Sequence, residues 1–200
     1  MIDYWTSGLL RKQIEYVSDY IPQNISANAI TLIGFFIGLL GVSFISIKFY
    51  FLGLVLIIIN RIFDGLDGAI ARKNGVTSLG GYLDITCDFI FYSAVIFGFA
   101  LAEPKQNSFA TIFLLFSFVG TGTSFLAFAA IKKKHNLFLD GRGEKAFYFK
   151  SGIIEGTETI VFFIIVCLFP ENFSIAAKIF GFLCWITVLG RACSAYYLLR

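Results

Sequence analysis

Residues 61 to 89, RIFDGLDGAIARKNGVTSLGGYLDITCDF, hold Asp64, Asp67, Asp84 and Asp88 in a chain that is otherwise apolar. Asn60, Asp64, Asp67 and Ala71 recur at i, i+4, i+7 and i+11, which is one face of a helix. Asp84 and Asp88 stand i, i+4 on the next helix. A short turn between the two helices sets the pairs face to face, so the four carboxylates converge. Such a group is unstable unpaired, because repulsion and desolvation both act against it. The remedies are protonation or cations. Mg2+ or Mn2+ suit best, since both take carboxylate oxygens and complete their shells with substrate phosphate; two ions can share four carboxylates. Arg61 and Arg72 are too few to neutralise the cluster and are expected to face an anionic substrate. Gly65, Gly68, Gly80 and Gly81 remove bulk around the acids, and Gly75 in KNG marks the turn. Spacing alone leaves three readings open: a metal-dependent active site, a cation path through a transporter, and a structural ion-pair network.

The elements that carry these residues belong to a membrane protein. Of 200 residues, 58% are hydrophobic and 14% charged, and the mean hydropathy is +0.80. These values lie outside the range of soluble globular domains. Six spans are expected, at about 27–47, 49–71, 82–102, 109–131, 152–169 and 175–199. Before them, Leu10, Ile14, Val17 and Ile21 form an apolar stripe with Arg11, Lys12, Glu15 and Asp19 off it. The expectation is an all-α membrane protein, six transmembrane helices preceded by an amphipathic helix. That first helix fits the membrane interface, and it also fits a surface helix packed on the protein.

Charge gives the orientation. Thirteen of the 16 Lys and Arg residues fall on one side of that layout and three, Lys48, Lys105 and Lys178, on the other. The positive-inside rule then sets both termini and the acid cluster at the cytoplasmic side of an inner membrane. The basic residues lie in short loops rather than on one face, which argues against a nucleic-acid partner. No cleavable leader is expected. Cys87, Cys167, Cys184 and Cys193 read as small apolar residues, not as disulfides or zinc ligands.

The stretch DGLDGAIARKNGVTSLGGYLDITCD resembles the signature of the CDP-alcohol phosphatidyltransferases, D-x-x-D-G-x-x-A-R followed by G-x-x-x-D-x-x-x-D. Asp64, Asp67, Gly68, Ala71, Arg72, Gly80, Asp84 and Asp88 fill its fixed positions. Upstream, members often carry P-N-x-x-T; here Asn28 and Thr31 match, and Ala27 stands in place of the proline. The resemblance covers nearly the whole chain as one domain, 1–200. It implies Asp64, Asp67, Asp84 and Asp88 as metal ligands, with Asp88 also the general base. It implies Asn28, Thr31, Gly68, Ala71, Arg72 and Gly80 around the CDP group. The implied reaction moves a phosphatidyl group from CDP-diacylglycerol, or another CDP-linked lipid, to a small alcohol with release of CMP. Partners would be the two substrates, membrane lipids and, as members often are, a second copy in a homodimer. The main competitor is a cation-coupled transporter, which would want acids at mid-membrane and repeat symmetry; no repeat is present.

Two further groups bear on the acceptor. Glu155 and Glu158 open the fifth segment in SGIIEGTETIVFF. They read either as acceptor contacts or as acids favoured at a helix N-terminus. Arg142 and Lys145 would suit a phosphorylated acceptor, while Lys132 to Lys134 read as topology signals and lipid contacts. His135 has no acid partner in sequence and is not expected to be catalytic.

Overall fold

A computed structural model describes residues 13–22, 25–134 and 152–199. Besides a helical stretch at 13–19, these form α1 (Ala27–Ser46), α2 (Tyr50–Asn74), α3 (Ser78–Ala102), α4 (Pro104–Lys134), α5 (Gly156–Leu168) and α6 (Phe173–Leu199). A 3-10 turn, Pro170–Asn172, precedes α6.

The all-α expectation holds, but the expectation of six spans does not. Four stretches of the described residues are long and apolar enough to cross a membrane: Ala27–Ser46, Ser78–Ala102, Pro104–Ile131 and Pro170–Tyr197. Helix α2 has the length, 25 residues, but Arg61, Asp64, Asp67, Arg72 and Lys73 break its apolar character. Helix α5 is apolar but has 13 residues. At about 1.5 Å per residue it falls well short of a hydrocarbon core of about 30 Å. In the most apolar part of each of the four spans only 28–39% of residues are buried within the protein. Phe36, Leu40, Phe97, Phe116 and Ile186 are among the side chains left on the outer surface, as lipid contact requires.

Helix α1 is the shared wall. It packs on α2 and on α3, whereas α2 and α3 make little backbone contact with each other. The gap between them is where the acids lie. Small residues let α1 come this close. A Cβ on Gly38 would stand 2.7 Å from the Phe91 ring and 3.1 Å from Asn60 Nδ2. Helix α4 packs on α3 and α6, and α5 on α2, around a core in which Phe91, Phe99, Phe163 and Phe173 are fully buried.

The turns fix which end is which. The Lys48–Glu103 ion pair (2.5 Å) and the bond from Gln106 Nε2 to the Glu171 carbonyl (3.1 Å) gather three turns at one end. The hydrogen bond to Glu103 and its charge hold the Lys48 ammonium above its ordinary range. The α2–α3 turn is made by Gly75, whose φ of 102° favours glycine, and Thr77 caps α3 by accepting from Gly80 N at 3.0 Å. Ser26 caps α1 through Ala29 N at 3.2 Å, so the helix start is secured although Ala27 replaces proline.

The N-terminal stretch packs on the protein. Ile14 and Ile21 join a cluster with Ile30, Leu66 and Ile70. Lys73 Nζ donates to Ser18 Oγ at 2.6 Å and to Asp19 Oδ1 at 2.5 Å. The stripe is only partly as expected, because Val17 is exposed and Ser18 is buried instead. Leu10, Arg11 and Lys12 lie outside the described residues.

Candidate active site

Helix α2 supplies Asp64 and Asp67, and α3 supplies Asp84 and Asp88. All four wall one small recess with Asn60, Arg61 and Cys87. Carboxylate oxygens of Asp64, Asp84 and Asp88 lie within 4.8 Å of one another. An oxygen-only donor set gathered in one place fits a hard divalent cation. Asp67 is the buried member, and its Oδ2 accepts from Thr31 Oγ1 at 2.5 Å. A hydroxyl has one proton, so the longer approach of Thr31 Oγ1 to the Ala27 carbonyl, 3.1 Å, is the weaker contact.

Two cavities meet at this cluster. One, of about 470 Å3, is walled by Asn28, Thr31, Asp67, Gly68, Ala71, Arg72, Gly80 and Asp84 among others. The six residues expected around the CDP group therefore line one space. Gly80 lets the start of α3 lie under Asn28, since a Cβ there would be 3.1 Å from Asn28 Oδ1. The second cavity, of about 360 Å3, opens among α3, α4, α5 and α6 and is walled by Asp84, Asp88, Tyr92, Thr121, Glu155 and Arg191 with apolar neighbours. Asp84 lines both cavities, and Asp88 lines only the second.

Arg61 does not face the first cavity as expected. Its NH2 donates to Asp88 Oδ1 at 2.8 Å, and its NH1 lies 3.5 Å from Asp64 Oδ2. Attraction to two carboxylates close by turns it inward; Arg72 lines the first cavity instead. Glu155 and Glu158 form a reciprocal capping box at the start of α5. Glu155 also accepts from Gly152 N at 3.0 Å, and Glu158 Oε2 accepts from Glu155 N at 3.1 Å. This explains both acids by the helix start and sets that start at Gly156 rather than Gly152. Glu155 is in addition a wall of the second cavity.

Sequence reasoning did not single out Tyr92 or Arg191. Asp88 and Tyr92 are i, i+4, and Tyr92 OH donates to Asp88 Oδ2 at 3.1 Å. Arg191 is a cation within an apolar segment, which is a signal in its own right. It is 8% exposed, and its NH1 donates to the Thr121 carbonyl at 3.0 Å. All four cysteines are free, as expected; Cys167 and Cys184 are buried, but Cys193 is exposed and Cys87 borders the acids. His135, Arg142 and Lys145 lie outside the described residues, as do the side chains of Lys132 to Lys134.

The family model described as CDP-alcohol phosphatidyltransferase matches residues 24–191. The chain belongs to the CDP-alcohol phosphatidyltransferase family. It is 50% identical to the inner membrane protein YnjF of Escherichia coli over 176 residues, 88% of this chain and 85% of that protein. It is 30% identical to archaetidylinositol phosphate synthase of Pyrococcus horikoshii over 176 residues, 86% of this chain and 84% of the other. The crystal structure of Mycobacterium tuberculosis phosphatidylinositol phosphate synthase with CDP-DAG bound shares the fold. It aligns with a TM-score of 0.65 at 22% identity, covering 92% of this chain and 93% of that chain. This CDP-alcohol phosphatidyltransferase is thus an integral membrane enzyme with an acidic cluster suited to a divalent metal.

Proposed function

We propose that the enzyme transfers the phosphatidyl group of CDP-diacylglycerol to a small alcohol and releases CMP. The observation that carries this reading is the acid cluster at the junction of two cavities, one on each side of Asp84. A transfer between two substrates needs such an arrangement, with the reacting phosphorus held between them. The larger cavity takes the cytidine diphosphate, against Asn28, Thr31, Gly68, Ala71, Arg72 and Gly80. The second takes the alcohol, against Asp88.

Asp64, Asp67, Asp84 and Asp88 would hold Mg2+ or Mn2+, and four carboxylates would suffice for two ions. A divalent cation bound there supplies charge stabilisation for the diphosphate and for the leaving CMP. Asp88 accepts the proton of the acceptor hydroxyl. The hydroxyl oxygen forms a bond to the β-phosphorus as the bond from that phosphorus to the CMP oxygen breaks. CMP leaves as an anion into the cavity that held it, and Arg72 faces its charge. The diacylglycerol tails stay in lipid beside the apolar outer surface. The protein works as one domain with both termini and the site at the cytoplasmic side, and a homodimer is compatible with its small-residue faces.

Arg191 supports a phosphorylated polyol as the acceptor. It is a nearly buried guanidinium on the wall of the acceptor-side cavity, suited to a phosphate. Two similar proteins, named above, are synthases of inositol phosphate lipids. The test is CMP release by detergent-purified enzyme given CDP-diacylglycerol, Mg2+ or Mn2+, and single acceptors, with products identified by mass. Acceptor-dependent release, abolished by chelation and highest with a phosphorylated polyol, is expected. No release with any acceptor defeats the transferase reading; release with uncharged alcohols only defeats the phosphate assignment.

A further inference from the structure

Both carboxylate oxygens of Asp88 are held by other side chains. Arg61 NH2 donates to Oδ1 at 2.8 Å, and Tyr92 OH donates to Oδ2 at 3.1 Å. The two donors are themselves joined, because Arg61 NH1 donates to Tyr92 OH at 3.2 Å. Arg61 Nε donates to Asn60 Oδ1 at 2.8 Å, and Asn60 Nδ2 donates to the Gly34 carbonyl at 2.8 Å. The guanidinium also lies over the Phe91 and Tyr92 rings, 5.2 and 5.4 Å from their centroids. A connected chain of donors therefore runs from the backbone of α1, through α2, to the carboxylate on α3.

The last torsion of an aspartate is a soft one with no sharp preferred angle. Left alone, the plane of the Asp88 carboxylate would turn freely in the gap between α2 and α3. Two donors on opposite oxygens remove that freedom. Each oxygen keeps a second lone pair for another partner. Arg61 is not placed to read the nucleotide, since it does not wall that cavity and its side chain is 17% exposed.

We propose that Arg61 and Tyr92 are positioning residues for the transfer: together they fix the plane of the Asp88 carboxylate at the edge of the acceptor-side cavity and so set the line along which the hydroxyl gives up its proton. This rests on the reading of Asp88 as the proton acceptor. Nothing else in the cluster is clasped in this way by two charged or polar side chains from two helices among the described residues.

The experiment compares Tyr92→Phe, Arg61→Met and Arg61→Lys with the unaltered enzyme. It measures kcat, KM for each substrate, and the Kd of CDP and of Mn2+ by calorimetry. Tyr92→Phe is expected to lower kcat by about ten- to a hundredfold, the cost of a misaligned reacting group, with KM and both Kd values little changed. Arg61→Lys is expected to recover part of the kcat lost in Arg61→Met, since it keeps the charge. If Arg61→Met does not fold, judged by lost CDP binding, Tyr92→Phe decides. Unchanged kcat in Tyr92→Phe overturns the proposal. A loss confined to the acceptor KM overturns it as well, making Tyr92 a substrate contact. Asp88→Asn separates the two readings. If it keeps full kcat, the proton-acceptor reading fails; if it is inactive beside a fully active Tyr92→Phe, only the positioning role fails.

Discussion

The protein has two groups of acids on its helices, one at the start of α5 and one between α2 and α3, and they are used in opposite ways. Glu155 and Glu158 face their own backbone: each side chain accepts from a main-chain N–H of the other's turn, closing the first turn of α5. The aspartates between α2 and α3 face one another. Thr31 serves Asp67, Arg61 and Tyr92 serve Asp88, and oxygens of Asp64, Asp84 and Asp88 share a space of 4.8 Å. Local hydrogen bonding consumes the first group and stabilises the fold. The second group is left with a shared excess of negative charge, which bound cations would balance. A carboxylate is functional here not because it is acidic but because its neighbours leave it a task.

An amide replacement separates the two uses, since it keeps the shape and removes the charge. Asp84→Asn should have the largest effect, because Asp84 lines both cavities. We expect kcat to fall on the order of 10²–10³-fold and Mn2+ affinity to weaken by at least about tenfold. Calorimetric Mn2+ titration beside CMP release checks both. Full activity would erase the contrast between the two groups. Thr31→Val is the next smaller change. It leaves Asp67 in place but removes its 2.5 Å donor, so Mn2+ affinity should drop by about tenfold, the usual scale for a partner that orients a metal ligand. An unchanged Mn2+ Kd would mean that Asp67 needs no orientation.

How far the sequence revealed this is uneven, and the unevenness has a cause. The spacing of Asp64, Asp67, Asp84 and Asp88 on two successive helices was enough to bring them together, because helix periodicity and a short glycine turn leave few other geometries. The bounds of α1 were also close, since Ser26 and the apolar run mark them. The number of spans was not legible from length alone. Helix α2 has the length but carries the site's charges, and α5 is cut short by its capping box at one end and by Pro170 beyond the other. The direction of Arg61 and the cavity position of Arg191 were not legible for a different reason. A long side chain chooses its partner in three dimensions, so its place in the chain says that a cation is present but not which way it points. The pairs Arg61–Asp64 and Asp88–Tyr92, at i, i+3 and i, i+4, were the available clues.

The smallest predicted effect tests the comparison from its other side. Glu158→Gln keeps an acceptor at the N3 position, where capping boxes use Glu and Gln alike, and should leave both stability and kcat nearly unchanged. Glu158→Ala removes the acceptor for Glu155 N and should destabilise the protein by about 1 kcal/mol, read as a lower thermal midpoint in detergent. Its kcat should stay close to the unaltered value at temperatures below that midpoint, because Glu158 walls neither cavity. A large loss of kcat in Glu158→Gln, with the thermal midpoint unmoved, would show that this carboxylate also acts on substrate. The local capping bond would then be only half of its role, and the line drawn between the two acidic groups would have to move to include it.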